Sequence, residues 1–280
     1  MIRFKLMNSR KHFTALCVLL ISIFIVNGCT KDVYLPGANS FLKKIKNGDY
    51  IVEEILYNQN NLVSEVNSTL FYRKFHYDQD LRLFREEVAI SPDSYSSSVL
   101  PGNTHEFVDP EKTGISMFHL YEYDSNGNLT RQLNYLPKDG KFEFRSERTF
   151  EYNDNNLISK ELLHNSDNEI TQFWSYQYDS NGNVTEENYY TYLFIPSGTG
   201  PKHLSKTTFE YDSFFNPYKI FERSGHPGIS TNLNNIIKTK TVNYDPVPGL
   251  DSVSESETSY EYNYETGYPK RVINGEEFIY

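Results

Sequence analysis

The sequence predicts an all-β fold: an antiparallel meander of repeated β-hairpins that forms a curled, twisted sheet. The chain has 23 Tyr and 19 Phe among its 280 residues, and aromatic side chains favour the pleated, half-buried surfaces of strands. A short aromatic pattern recurs along the chain, and no stretch keeps a helical period. A β-sandwich and a partly closed barrel are alternative ways for such a sheet to cover its apolar face.

The first element is a basic segment followed by an apolar one. Residues 1–13 carry four basic residues and no acid, and residues 15–26 are apolar apart from Ser22. A membrane-spanning helix needs about 20 apolar residues, so this shorter run predicts a secretory signal peptide.

The apolar run ends at Val26-Asn27-Gly28-Cys29, which resembles the lipobox of bacterial lipoproteins. The resemblance implies that signal peptidase II removes residues 1–28 and that Cys29 carries the lipid. The other cysteine, Cys17, lies in the removed segment, so the exported chain has no pair of thiols for a disulfide. The expected location is the outer membrane, with the protein lipid-anchored at the periplasmic face or at the cell surface.

The exported part consists of a short tether and one domain. Residues 29–40 include Pro36 and Gly37 and predict the tether, and residues 41–280 are long enough for one large β domain. Without residues 1–28, which hold four basic and no acidic residues, 23 Lys and Arg remain against 37 Asp and Glu, a formal charge of −14. Such a surface repels nucleic acid, so no nucleic-acid partner is expected.

The recurring pattern is an aromatic–polar–aromatic triplet followed by Asp or Asn. Clear copies begin at residues 121, 150 and 176, and looser ones begin near 55, 75, 209, 242 and 260. An alternating run that meets a turn cluster predicts a β-hairpin, and about fifteen to seventeen strands are expected on this criterion. Asn126-Gly127 and Asn181-Gly182 are expected to supply the positive φ angles of tight turns. The Asp before each pair is expected to accept from amides two residues further on.

Side chains alternate between the two faces of a strand, so the sequence predicts which residues share a face of the sheet. Both aromatic residues of a triplet lie on one face, and the residue between them, often Glu, lies on the other. We therefore expect one aromatic and one acidic face. His119 is in register with the aromatic face and is expected to pack there. Trp174 is in the same register, where it is either buried in the core or exposed to stack on a sugar ring.

The triplet with its turn resembles the YD repeats of RHS-type proteins and, more closely, Bacteroidota lipoproteins of unknown function built from the same hairpins. The segments at residues 42–48, 215–218, 234–238 and 264–269 also resemble that group. The resemblance covers about residues 41–280. It implies a fold and says little about activity.

Motifs for chemistry are not evident, and no catalytic residue, metal ligand or cofactor is predicted. Asp124 begins a calcium-like stretch, but an EF-hand loop needs Glu at its twelfth position, where this chain has Tyr135. The sequence does not exclude a catalytic pair of carboxylates that are distant in the chain but close together in the fold. Asp251-Ser252-Val253 resembles the short O-glycosylation motif of Bacteroidota, which makes Ser252 a modification candidate; a chance match is the alternative.

The sequence thus favours a non-catalytic binding or interaction module of the cell envelope, with a protein or a glycan as partner. The alternatives are a structural or shell protein related to RHS repeats and a carboxylate-dependent hydrolase. Function often resides in long loops, so the first places to look are residues 91–106, 195–202 and 224–235, which are expected to lie at sheet edges.

Overall fold

The computed structural model describes residues 41–92, 106–193, 200–245 and 249–280. The predicted signal peptide, the lipidation residue Cys29 and the tether lie outside these residues. Seventeen strands and two short helices form the described part. None of the helices in these ranges is both long enough and apolar enough to cross a membrane.

The strands follow the predicted alternation of aromatic and polar residues. They are β1 (Lys44–Asn47), β2 (Tyr50–Tyr57), β3 (Val63–Ser68), β4 (Phe71–Tyr77), β5 (Leu83–Ile90), β6 (Met117–Tyr123), β7 (Leu129–Lys138), β8 (Lys141–Tyr152), β9 (Ile158–Asn165), β10 (Ile170–Tyr178), β11 (Val184–Thr191), β12 (Lys202–Phe215), β13 (Asn234–Asn243), β14 (Ser252–Glu257), β15 (Tyr260–Asn263), β16 (Tyr268–Val272) and β17 (Glu277–Ile279). The helices are α1 (Pro110–Thr113) and a 3₁₀ helix (Pro217–Ser224).

The strands form one antiparallel meander, as predicted. Each strand from β1 to β14 pairs with the next along the chain, and β15, β16 and β17 pair in the same way. β1 also pairs with β17, which makes the first and last described strands neighbours. No pairing joins β14 to β15 within the described ranges, so the single sheet curls without closing. The two-sheet sandwich is not the form adopted.

The turns after Asn58, Asp78, Asp124, Asn153 and Asp179 share one geometry. The side-chain oxygen accepts from the amides two and four residues further on, which extends the predicted contact. The positive φ angle falls only on the third residue after it: Asn61, Leu81, Gly127, Asn156 and Gly182.

Asn126 and Asn181 are therefore not left-handed, and the expectation that both residues of each Asn-Gly pair have positive φ is wrong. The Asp side chain holds the amide two residues on, and the residues between the Asp and the glycine have no positive φ. The glycine then supplies one left-handed residue. The strand register shifts at this point, which is the bulge that accompanies such a turn.

Tyrosine hydroxyls connect each hairpin to the one before it. The second tyrosine of a triplet donates to the backbone carbonyl just after the preceding turn, as in Tyr123 to Leu83 at 2.8 Å and Tyr152 to Leu129 at 2.8 Å. Tyr77, Tyr178 and Tyr211 make the equivalent bonds. Burial raises the pKa of Tyr77 to about 12, so these hydroxyls stay protonated donors.

The aromatic face is the inner face of the curl, where the core lies. Its buried cluster includes Ile45, Ile55, Phe75, Tyr121 and Phe150. The 3₁₀ helix packs against this cluster through Tyr218, Ile220 and Phe221. We call the 3₁₀ helix and the following loop, residues 217–233, the plug.

The plug was not predicted as a helix, although Asn216 and Pro217 carry a start signal. The Asn216 side chain accepts from the Tyr218 amide, and Pro217 occupies the first helical position, where its missing N–H costs nothing. Buried asparagines then fasten the plug to the sheet: the Asn232 side chain accepts from the Val184 amide at 2.8 Å, and Asn216 donates to the Asn232 carbonyl at 3.0 Å.

The outer face is less acidic than expected, because cations lie opposite the acids. Arg131 contacts Glu122 at 3.0 Å, and Lys206 pairs with Glu186 at 2.5 Å. Aromatic pairs lie outside too, such as Phe118 stacked on Tyr135 with centroids 4.6 Å apart and Phe173 stacked on Tyr190 at 4.5 Å. Exposed ion pairs stabilise little, so the inner face remains the main source of stability.

Candidate functional site

A groove lies on the inner face, beyond the aromatic core. Its volume is about 610 Å³, and a chamber of about 390 Å³ adjoins it. The two share Arg73, Glu187, Ser224 and His226 as lining residues. We call the larger space the polar groove and the smaller one the apolar chamber, since Phe209, Phe221, Ile229 and Ile236 line the latter.

The repeat places one pair of side chains per hairpin at this groove, and all of these side chains line it except Glu161, which is fully buried. One member lies five residues before the Asp or Asn of a turn and the other eight residues after it, so the two are thirteen residues apart on neighbouring strands. Their side chains share the inner face, because the register sets the second member opposite the first aromatic of the triplet. The four pairs are Arg73–Glu86, His119–Gln132, Arg148–Glu161 and Trp174–Glu187.

Two of these pairs, Arg73–Glu86 and Arg148–Glu161, are ionic clusters in which donors of the chain itself bind a buried carboxylate. Arg73 Nε donates to Glu86 at 2.6 Å, and the Tyr121 hydroxyl donates to the other oxygen at 2.7 Å. Only 3% of Glu86 is exposed. Burial acts to raise the pKa of Glu86, but the charge and hydrogen bond of Arg73 outweigh it and lower the pKa. Glu86 is thus held ionised and saturated with donors.

The second cluster repeats the first with an extra donor from the plug. Glu161 is bonded by Arg148, by His226 Nδ1 at 2.7 Å and by the Tyr176 hydroxyl at 3.4 Å. None of Glu161 is exposed. Burial acts to raise the pKa of Glu161, but the bonds from His226 and Arg148 lower it.

The His119–Gln132 pair carries no carboxylate. His119 lies on the aromatic face, as predicted from its register, and its Nδ1 is 2.6 Å from Asn134 Oδ1. Burial lowers the pKa of His119, which favours the neutral ring. The Asn134 amide nitrogen donates in turn to Ser146 at 3.0 Å. This part of the groove is rich in amide groups, and Arg145 lines it next to Ser146.

The Trp174–Glu187 pair differs from the other three. Trp174 is half-buried in the groove wall, stacked on Tyr189 with centroids 4.9 Å apart and with the Arg148 guanidinium 5.5 Å from its ring. Glu187 is half-buried as well. It has no hydrogen-bond or ion-pair partner in the described part of the chain. Burial raises the pKa of Glu187, the charge of His226 acts to lower it, and the charge of Glu161 adds to the effect of burial.

The remaining predicted residues lie elsewhere. Ser252 begins β14 and is exposed, with its hydroxyl 3.4 Å from Asn243 Nδ2, and it does not line the groove. Cys29 lies outside the described residues. No group of three or more His, Cys, Asp or Glu that could hold a metal ion occurs in the described ranges.

One of the three loops singled out from the sequence does reach the groove. Residues 224–235 were expected at a sheet edge, but Ser224 and His226 line the groove from inside the curl. The buried asparagines draw this loop inward. The other two loops lie largely outside the described residues. Glu187 was missed by sequence reasoning, although its spacing of thirteen residues from Trp174 was a usable signal.

No family model matches the sequence, and no curated protein matches it. Solved structures do match. A DUF3836 family protein from Parabacteroides distasonis is 20% identical over 31% of this chain and 86% of its own, with a TM-score of 0.25. A porin-like protein from Bacteroides vulgatus is 10% identical over 86% of this chain and 98% of its own, with a TM-score of 0.48. A complex of TcdB2, TccC3 and Cdc42 is 13% identical over 82% of this chain and 14% of its own, with a TM-score of 0.21.

Proposed function

We propose that the chain is a lipid-anchored cell-envelope protein whose β domain is a non-catalytic binding module, with the ligand seated in the polar groove. The groove carries this proposal. Its volume of about 610 Å³ falls in the range of about 300–1,000 Å³ usual for ligand sites. It also combines an unpaired carboxylate, neutral amides and the single tryptophan of the chain.

The arrangement of carboxylates favours binding over hydrolysis. A glycoside hydrolase needs two carboxyl groups that both reach the substrate. Glu86 and Glu161 are enclosed and already saturated by their own donors, which leaves Glu187 without an accessible carboxylate partner among them. A shell role would require a closed cavity or an assembly, whereas this sheet is open between β14 and β15.

The binding role can be tested with a photo-crosslinking residue inserted at Asn134, which lines the groove. In cells we expect it to capture an envelope protein or glycan. The same residue at Glu151, which is exposed on the outer face, is the matched control. Equal capture at both positions, or none at Asn134, would contradict the groove as a binding site.

The anchor is tested separately. Cys29→Ala is expected to abolish labelling by palmitate and to release the protein from the membrane fraction, because the acylated thiol is gone and two or more chains are needed for stable anchoring. Cys17→Ala is the control, since that residue lies in the segment that would be removed. Continued labelling of the Cys29→Ala protein would overturn the lipoprotein assignment.

A further inference from the structure

The four pairs at the groove occupy equivalent positions in successive hairpins, so a donor that is missing from one pair can be identified by comparison with the others. In a complete unit a carboxylate receives an arginine from the preceding strand and a tyrosine hydroxyl from the following strand. Arg73, Glu86 and Tyr121 form one such unit. Arg148, Glu161 and Tyr176 form another. The Arg–Glu separation is thirteen residues in both.

At Glu187 the acceptor is retained and both donors are missing. The position thirteen residues earlier, where the complete units have arginine, holds Trp174. The position of the tyrosine holds Phe209, which has no hydroxyl. Glu187 pairs with Thr207 in the ladder, two residues before Phe209, as Glu161 pairs with Trp174, two residues before Tyr176. The unit around Glu187 thus lacks one cation.

The surroundings of Glu187 match those that hold guanidinium groups elsewhere in this groove. Arg73 lies 4.8 Å from the Phe75 ring and 5.7 Å from the Phe221 ring, and Arg148 lies 5.5 Å from the Trp174 ring. Both guanidiniums combine a carboxylate with an aromatic face, an arrangement that suits arginine. Glu187 has Trp174 on the groove side and Phe209 on the chamber side.

We infer that Glu187 receives the guanidinium of an arginine side chain in a partner polypeptide, in the place that Arg73 and Arg148 occupy in the complete units. The inference rests on the proposed binding role of the groove and specifies its ligand. Arg73 and Arg148 do not repel the incoming guanidinium strongly, since each is already paired with its own carboxylate. Arg145 also lines the groove, but it is exposed to solvent, which screens its charge. The planar fork of a guanidinium also suits a carboxylate better than a compact ammonium does.

The test is calorimetric titration of the full-length protein with N-acetyl-arginine amide. The neutral isostere N-acetyl-citrulline amide is the ligand control. Glu187→Gln should weaken binding of the arginine probe by about tenfold or more, because a charge-assisted hydrogen bond contributes about 1.5–3 kcal/mol and 1.4 kcal/mol is tenfold. Glu186→Gln, which removes the neighbouring charge on the outer face, should leave binding unchanged.

A second variant places the missing cation within the chain itself. Trp174→Arg restores the arginine of the complete unit, so its guanidinium should pair with Glu187. We expect this variant to fold, to unfold at a higher temperature than Glu187→Gln carrying the same Trp174→Arg change, and to lose binding of the arginine probe. Unchanged arginine binding by Trp174→Arg would overturn the inference.

Further outcomes separate this inference from the binding role. Equal binding of the arginine and citrulline probes, or full binding by Glu187→Gln, overturns the role of Glu187. Binding of glucosamine in preference to arginine, lost in Glu187→Gln, replaces the polypeptide by an amino sugar and overturns the assignment of the partner. If the arginine probe does not bind while a groove crosslink still captures a partner, the inference fails and the binding role stands.

Discussion

Glu187 and Glu161 are chemically identical side chains with opposite environments. Glu161 has three donors, and its pKa is lowered although burial alone would raise it. Glu187 has no hydrogen-bond donor in the described part of the chain, and burial raises its pKa. A group kept without a partner costs stability, and natural proteins tolerate such costs chiefly where binding requires them. The two residues should therefore respond to substitution in opposite directions.

At neutral pH, Glu187→Gln is expected to raise the free energy of unfolding by about 0.5–2 kcal/mol, since it removes an unpaired charge. Glu161→Gln is expected to lower it by about 3 kcal/mol, since it leaves Arg148 without its carboxylate. Urea unfolding of both variants, monitored by circular dichroism, measures the two effects. A destabilised Glu187→Gln protein would mean that the carboxylate has an internal partner after all.

The pH dependence of these variants follows from the directions of the shifts. Because the pKa of Glu161 is lowered on folding, its contribution is present above the unfolded pKa and is lost as the pH falls through the folded pKa. The pKa of Glu187 is raised on folding. Its destabilising contribution to the free energy of unfolding is therefore absent below the unfolded pKa and is complete once the pH has risen above the folded pKa. Acidification should therefore bring both variants closer to the parent protein.

At the scale of the hairpin, the sequence predicted the element and the residues of the turn but not the turn type. Asp124 and Asp179 were correctly expected to accept from amides two residues on. The additional bond to the fourth amide limits the left-handed conformation to one residue. That distinction depends on hydrogen-bond geometry, since an Asn-Gly pair is compatible with either turn. The tyrosine bridges between hairpins were not predicted either, because they join residues that lie 14 to 40 positions apart in the sequence.

The turn geometry identifies Leu81 as a strained residue. It has φ 60°, in the position that glycine or asparagine occupies in the equivalent turns. A left-handed conformation costs a residue with a β-carbon about 1–2 kcal/mol, and asparagine is among the types that tolerate it. Leu81→Asn should therefore stabilise the protein by about 1 kcal/mol, which corresponds to about 2–4 °C in Tm for a domain of this size.

Gly127→Ala is the matched control for Leu81→Asn. Gly127 has φ 81°, and a β-carbon added there would contact nothing within 4 Å, so the substitution introduces backbone strain alone. It should lower Tm by a similar amount, about 2–4 °C. Scanning calorimetry of both variants measures the pair of effects. If Leu81→Asn lowered Tm, the side-chain contacts of Leu81 would outweigh the strain.

At the scale of the whole molecule, repetition accounts for what could be predicted and what could not. A hairpin repeat read from the sequence predicts a meander, its strand count and its aromatic face, because these features are local to each repeat. It does not specify that β1 pairs with β17 or that residues 217–233 fold into the curl. The plug depends on Asn183, Asn216 and Asn232, whose bonds span up to 51 residues of chain. The groove could not be predicted for the same reason, since His226, which bonds to Glu161, belongs to the plug.

The pairing of β1 with β17 and the plug turn a row of hairpins into one cooperative unit. In simple repeat proteins each unit contacts only its neighbours, and the ends unfold first. Here Phe278 of β17 packs against Tyr218 of the plug, with ring centroids 5.8 Å apart, and the plug contacts the same core as Phe150 of β8. Removal of the C-terminal strand should therefore destabilise the plug and β1 as well.

A chain that ends at Glu276 tests this coupling, because it loses β17 and with it the partner of β1. It should unfold in a single transition, at a Tm below that of Phe278→Ala. That control keeps the backbone pairing and should itself lose about 3–5 kcal/mol, the usual effect of truncating a buried phenylalanine. Hydrogen exchange should show that the shortened chain loses protection in the 3₁₀ helix as well as in β1. Two separate transitions, with the plug still protected, would show instead that the hairpins are stable as a row and that the plug depends only on β11 to β13.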